Sequence, residues 1–240
     1  NFISSITFNN LIKGFRSKTR EILDNVQQRI SSGYIYNFIN FNYTNTLDQI
    51  LSCVKSTQTD IGKRNTSSGV FHNHIGKSVH IHGYAEKNMV LGVNDETQIT
   101  SMQLFDNCDE EYKNQLIKQK INEMNQENTD AITKSIICDS HLIYIYGMSI
   151  GETDALWWKE IIESMKVKNY LHVIIHCFNG EDFGLLPTKK ALYDKQKRNE
   201  FLDFAGTNSD NNISSRIHID VSNIFSSLSV GSIIADKKES

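Results

Sequence analysis

Three short apolar runs, each closed by a polar turn, constrain this chain more than any other feature. The first, residues 34–40, leads into Phe41-Asn42-Tyr43-Thr44-Asn45-Thr46-Leu47-Asp48. The second ends as Val79-His80-Ile81-His82-Gly83. The third, residues 142–145, leads into Tyr146-Gly147-Met148-Ser149-Ile150-Gly151-Glu152-Thr153-Asp154. Runs this short are strands rather than helices, and their near-continuous apolar character suits a sheet covered on both faces. In open α/β sheets the carboxyl ends of the strands converge on one crevice, where ligands bind. The expected fold is therefore α/β: a Rossmann-like, mostly parallel sheet with helices on both faces, and a nucleotide-type site spread over three strand ends.

The intervening residues fill in this pattern. Ile22, Leu23, Val26 and Ile30 recur at helical spacing and predict a helix over 15–30, with Gly33 beyond its end. Thr44 or Asn45 can cap a helix running through Leu47, Ile50, Leu51 and Val54. Residues 56–76, rich in Thr, Ser, Asn and Gly, read as a loop. Segments 79–82 and 89–93 read as two short strands of a hairpin. Residues 109–136 are polar, with Tyr112, Leu116, Ile117 and Ile121 on one helical face, and read as a helical insertion over the sheet. Strands are expected at 141–146, 171–177 and 217–221. Helices are expected from Thr153, with Leu156, Trp157, Ile161 and Met165 inward, and over 188–204. A helical turn at 224–228 and a charged tail complete the chain. At 240 residues it fits one domain, 1–240. The first thirty residues hold no strand followed by a glycine-rich turn, so the domain reads as lacking that opening unit.

Composition narrows the function. A net charge of −3 without a long basic block argues against a nucleic-acid-binding surface. Lys189, Lys190, Lys195, Lys197 and Arg198 read as a solvated helix face. Cys53, Cys108, Cys138 and Cys177 are far apart and form no C-x-x-C pair, which fits free thiols in the cytoplasm. No apolar run approaches the roughly 20 residues of a membrane span, so no membrane partner is expected.

Each motif carries more than one reading. Asn42 can satisfy a turn, or its amide can hold a ribose or a water. His82 precedes Gly83, where a chain can approach a ligand closely, and has a side chain suited to proton transfer near neutral pH. His72, His74, His80 and His82 together can ligate a metal, but no accompanying carboxylate is evident and no metal is expected. Gly147-x-Ser149-x-Gly151 matches a nucleophile elbow, and Ser149, Asp182 and His218 stand in triad order. The reading we favour is a tight turn that brings a helix N-terminus to a phosphate, with Ser149 and Thr153 as hydroxyl donors and Asp154 either on a ribose hydroxyl or capping the helix.

Taken together, Phe41-Asn42-Tyr43-Thr44-x-x-Leu47-Asp48, His80-x-His82-Gly83, Leu91-Gly92-Val93 and Gly147-x-Ser149-x-x-x-x-Asp154 resemble the AbiH family of phage abortive-infection proteins. Ile217-His218-Ile219-Asp220 followed by Ile224-Phe225 is similar as well. That family resembles sirtuin-like NAD-consuming domains, whose active Asn and His map onto Asn42 and His82. Their neighbouring Asp is Thr44 here, and the paired cysteines of a sirtuin zinc ribbon are absent. The resemblance implies an antiviral effector that binds NAD as substrate and hydrolyses it. Asn42 and His82 would be catalytic; Tyr43, Thr44, Gly83, Gly147, Ser149 and Asp154 would hold the nucleotide. It also implies a phage or defence-system protein as trigger, and a homo-oligomer. Two alternatives stand beside it: a non-catalytic nucleotide- or partner-binding module, and a serine hydrolase.

Overall fold

A computed structural model describes residues 17–56, 61–85, 89–93, 96–99, 108–124, 128–177, 187–207 and 211–221. The expected turn at 224–228 and the tail lie outside these residues. In chain order the described elements begin with α1 (Ser17–Gln28), β1 (Ile35–Asn40) and α2 (Thr46–Ser56). Next come β2 (Lys63–Thr66), β3 (Gly69–His72) and β4 (His74–His80), then short helices α3 (Glu110–Asn114) and α4 (Lys118–Met124). The order continues with α5 (Thr129–Asp139), β5 (Leu142–Ile145), α6 (Ala155–Val167), β6 (His172–His176), α7 (Pro187–Phe204), α8 (Asn211–Ser214) and β7 (Ile217–Asp220).

The fold is α/β with parallel pairing, in two pieces. β5, β6 and β7 form a three-stranded parallel sheet in that order. β1 and β4 form a separate parallel pair, in which Asn40 lies opposite His80. The β1–β4 ladder is irregular between Tyr36 and Phe38, where the Asn37 side chain accepts from the Lys77 amide at 2.9 Å.

Side-chain alternation distributes the core. Val173, Ile175, Ile217 and Ile219 face one large apolar cluster with Trp157, Trp158, Ile161, Ile162 and Met165 of α6 and Phe201 and Leu202 of α7. Ile174 faces the other way, toward Leu23 of α1. The three-stranded sheet is thus covered on both faces, which explains its unbroken apolar sequence. Trp157 is buried, as its helical spacing suggests, and Trp158 is buried beside it. Arg216 is buried too, and donates to the carbonyls of Met165, Lys168 and Leu171 at the end of α6. There the guanidinium meets orphaned carbonyls and the negative pole of the helix.

Two expectations need correction. The segment read as a loop contains the antiparallel β2–β3 hairpin and the first three residues of β4. Polar composition concealed it, because its stabilising partner is distant: Arg64 of β2 donates to the carbonyls of Gln27, in the last turn of α1, and Ile30, just beyond it, and lies over the Tyr34 ring. The hairpin expected between 79–82 and 89–93 does not form. β4 takes β1 as its parallel partner, while Val93 makes a bridge to Ile117. No helix among the described residues is long and apolar enough to cross a membrane.

Candidate functional site

The ends of β1 and β4 lie side by side because the strands pair in register. Past Asn40 the chain turns, and the buried Asn40 carboxamide accepts the Asn42 amide at 2.9 Å. The Asn42 side chain is exposed, while its carbonyl lies 3.3 Å from Nδ1 of His80. His80 meets the Asp48 carboxylate in the first turn of α2 through Nε2, and Asp48 also accepts from Ser78 Oγ at 3.1 Å. Residues 40, 48 and 80 therefore build a polar clamp under the turn that carries Asn42.

His82 is placed differently. Two residues apart on a strand, His80 and His82 would share a face, but β4 stops at His80 and the alternation stops with it. The His82 ring lies 5.9 Å from both Phe41 and Tyr43, edge-on to the first and stacked on the second. Its Nε2 is 3.7 Å from Asp154 Oδ1, with side chains only 5% and 16% exposed. That is ion-pair range and beyond a hydrogen bond. Buried Nδ1 has no hydrogen-bond partner among the described residues. Gly83, buried at φ +62°, turns the chain immediately afterwards.

Asp154 comes from the turn after β5. Gly147 takes the left-handed conformation there, at φ +71°, and a single 3₁₀ turn, Glu152–Asp154, leads into α6. The indole of Trp158 donates to the Gly151 carbonyl at 2.9 Å and ties this turn to the core. Burial and the Asp154 charge raise the Tyr43 phenol above its ordinary value, which places Tyr43 in the same electrostatic neighbourhood. Tyr43, His82 and Asp154 are thus brought together; Asn42, Thr44 and Ser149 are exposed around them.

Helices α3 and α4 and the start of α5 lie in the segment read as a helical insertion, and they contribute residues that sequence reasoning missed. Burial lowers the Lys118 ammonium while Asp154 opposes that shift. Burial raises the Asp130 carboxyl, opposed first by a hydrogen bond from Asn122 and, more weakly, by His82. Both groups lie within electrostatic reach of the His82–Asp154 pair. Nothing in their own sequence surroundings marks them. The one signal for Lys118 was the Leu91-Gly92-Val93 motif, which proves to be the strap that fastens its backbone. Val90 donates to the His82 carbonyl at 2.8 Å and accepts from Tyr43 Oη at 3.4 Å. Val93 pairs with Leu116 and Lys118 through two backbone bonds of 2.9 Å. Gly92 permits this approach, since a Cβ there would stand 2.3 Å from the Leu116 carbonyl oxygen.

Among the described residues the remaining motifs do not assemble into sites. His218 is buried against His172, with Nε2 3.0 Å from His172 Nδ1, and no hydrogen bond joins it to exposed Ser149; Asp182 lies outside the described residues. Gly147 at the start of the proposed elbow takes a left-handed conformation. His72 and His74 are exposed, and among the described residues no three His, Cys, Asp or Glu side chains gather as a metal-binding group.

A family model described as bacteriophage abortive infection AbiH matches residues 2–176. No curated protein and no solved structure matches the chain. Because the family model spans well over half of the sequence and includes all three strand-end motifs, the chain belongs to the AbiH family of bacteriophage abortive-infection proteins.

Proposed function

We propose that this protein serves phage abortive infection by hydrolysing NAD at the nicotinamide–ribose bond in the cytoplasm. Water adds to the ribose carbon as the bond to nicotinamide breaks, giving ADP-ribose and nicotinamide. His82 takes the proton that water releases, and Asp154 orients its imidazole. Asn42, on the neighbouring strand end, holds the ribose or the water. Tyr43, Thr44, Gly83, Gly147 and Ser149 border the bound nucleotide. Depletion of NAD then stops the infected cell, with a phage or partner protein as trigger.

The observation that supports this reading is the buried His82–Asp154 pair between two strand-end turns, with His82 Nδ1 unpartnered among the described residues. Incubating the full chain with NAD and following nicotinamide release tests it. Wild type should turn over, while Asn42→Ala and His82→Ala should fall about a hundredfold or more. Equal release by all three overturns the reading. The depth of His82 under Phe41 and Tyr43 favours a second reading, a non-catalytic nucleotide- or partner-binding module. Calorimetry that detects NAD binding without nicotinamide release would select it.

A further inference from the structure

His80 closes β4, and its ring is met from several directions. From α2 the Asp48 carboxylate contacts Nε2; past β1 the Asn42 carbonyl lies 3.3 Å from Nδ1; beyond β4 the Tyr84 ring stands 5.1 Å away. β1 adds the neutral Asn40 carboxamide, whose Nδ2 is 3.5 Å from Nε2, at the limit of a hydrogen bond. Asp48 and Tyr84 are therefore the titratable groups that face the ring among the described residues. An ionised carboxylate and a backbone carbonyl only accept. A neutral imidazole has one N–H and satisfies one of them; the imidazolium has two and satisfies both. The Asn42 carbonyl belongs to the peptide that joins Asn42 to Tyr43, and Tyr43 stacks on His82. The preceding peptide is fixed as well, since the Asn42 amide donates to Asn40 Oδ1 at 2.9 Å. Both peptide groups of Asn42 thus rest on side chains from the two strand ends, and one of those side chains changes its donors with pH.

We propose that His80 is a pH-dependent positioning residue: in its doubly protonated form it holds the Asn42–Tyr43 peptide in the orientation that places the Asn42 side chain at the site, and loss of the Nδ1 proton releases that peptide. Nε2–H stays with Asp48, because a carboxylate is a stronger acceptor than a carbonyl, so the proton that leaves is the one on Nδ1. The lone pair left there faces the carbonyl oxygen, and attraction becomes repulsion. Ser78 Oγ donates to the other Asp48 oxygen at 3.1 Å and keeps the carboxylate aimed at the ring. His80 does not touch the substrate; it acts through Asn42. The assignment rests on the functional reading for the role of Asn42.

Two measurements on the full chain test it. Nitrogen NMR of the His80 ring, assigned against His80→Asn, is followed with the Tyr43 amide resonance as pH rises. The amide should shift with the ring at one common midpoint, and Nδ1 should be the nitrogen that loses its proton. The nicotinamide-release assay is run over the same range. In His80→Asn the carboxamide nitrogen stands where Nδ1 stood and cannot titrate. Wild-type kcat should fall on the alkaline side, and His80→Asn should flatten that limb. His80→Leu, with no donor, should lower kcat about tenfold throughout with KM little changed. Thermal melts report whether each variant keeps the fold. A Tyr43 amide that does not follow the ring overturns the proposal whether or not NAD is cleaved, and so does an Nε2 that deprotonates first. A folded His80→Leu with wild-type kcat, or an alkaline limb that persists in a folded His80→Asn, overturns it too. If neither variant folds, the wild-type ring and amide titrations decide alone. Co-titration without nicotinamide release keeps His80 as the residue that fixes the turn and removes the hydrolytic reading.

Discussion

The His82 imidazole lies between Phe41 and Tyr43, with Asp154 on one nitrogen's side and no partner on the other among the described residues. A carboxylate in that position sets the tautomer and stabilises the protonated ring; a carboxamide keeps the shape and loses the charge. Asp154→Asn should therefore lower kcat for nicotinamide release about a hundredfold, with little change in the affinity for NAD. Unaltered kcat would remove Asp154 from the mechanism. At this scale the sequence was partly legible. His82 and Asp154 announce themselves by standing in turns after apolar runs. Asn40 and Asp48 do not, because a strand-terminal Asn and a helix-start Asp are ordinary in those places. Lys118 was invisible for a different reason: it opens a polar helix beside one other lysine, and only its backbone bond to Val93 sets it apart.

Among the elements, the strap from Val90 to Val93 deserves its own experiment, because it is held at both ends by backbone bonds. Gly92→Ala forces a Cβ to 2.3 Å from the Leu116 carbonyl oxygen, and backbone cannot yield as a flexible side chain would. We expect a loss of about 1–3 kcal/mol and faster amide exchange at Val93 and Lys118, read by hydrogen exchange. Wild-type exchange at both amides would show that the strap does not depend on this glycine. Strands with apolar sequence were readable within a residue or two: β1, β5, β6 and β7 fall inside the segments expected for them, and α7 begins one residue early. The β2–β3 hairpin was not readable. Its residues are polar and unpatterned, and it is held by an arginine reaching the end of α1.

For the molecule as a whole, the three-stranded sheet buries two histidines against each other. Burial first, then Arg216, lowers His172 from 6.5 to about 4; burial first, then His172, lowers His218 from 6.5 to about 3. The fold therefore holds these bases neutral where the unfolded chain protonates them. Their contribution to stability is complete above about pH 6.5 and is lost as pH falls through about 4 and 3. Urea midpoints should drop between pH 7 and pH 5, and drop less in a His172→Leu/His218→Leu double variant; equal drops would assign the acid sensitivity elsewhere. Neither histidine looks unusual in sequence, since each is a polar residue at or within a short strand. Apolar periodicity along the chain was enough to establish an α/β protein with parallel strands and turns at their carboxyl ends, because burial on a sheet or helix face imposes its repeat on local sequence. Pairing is not a local property. Which strand β4 joined, where its alternation stopped, and which residues the strap at 90–93 fastened depended on contacts between segments far apart in the chain, and those contacts exist only once the core has closed.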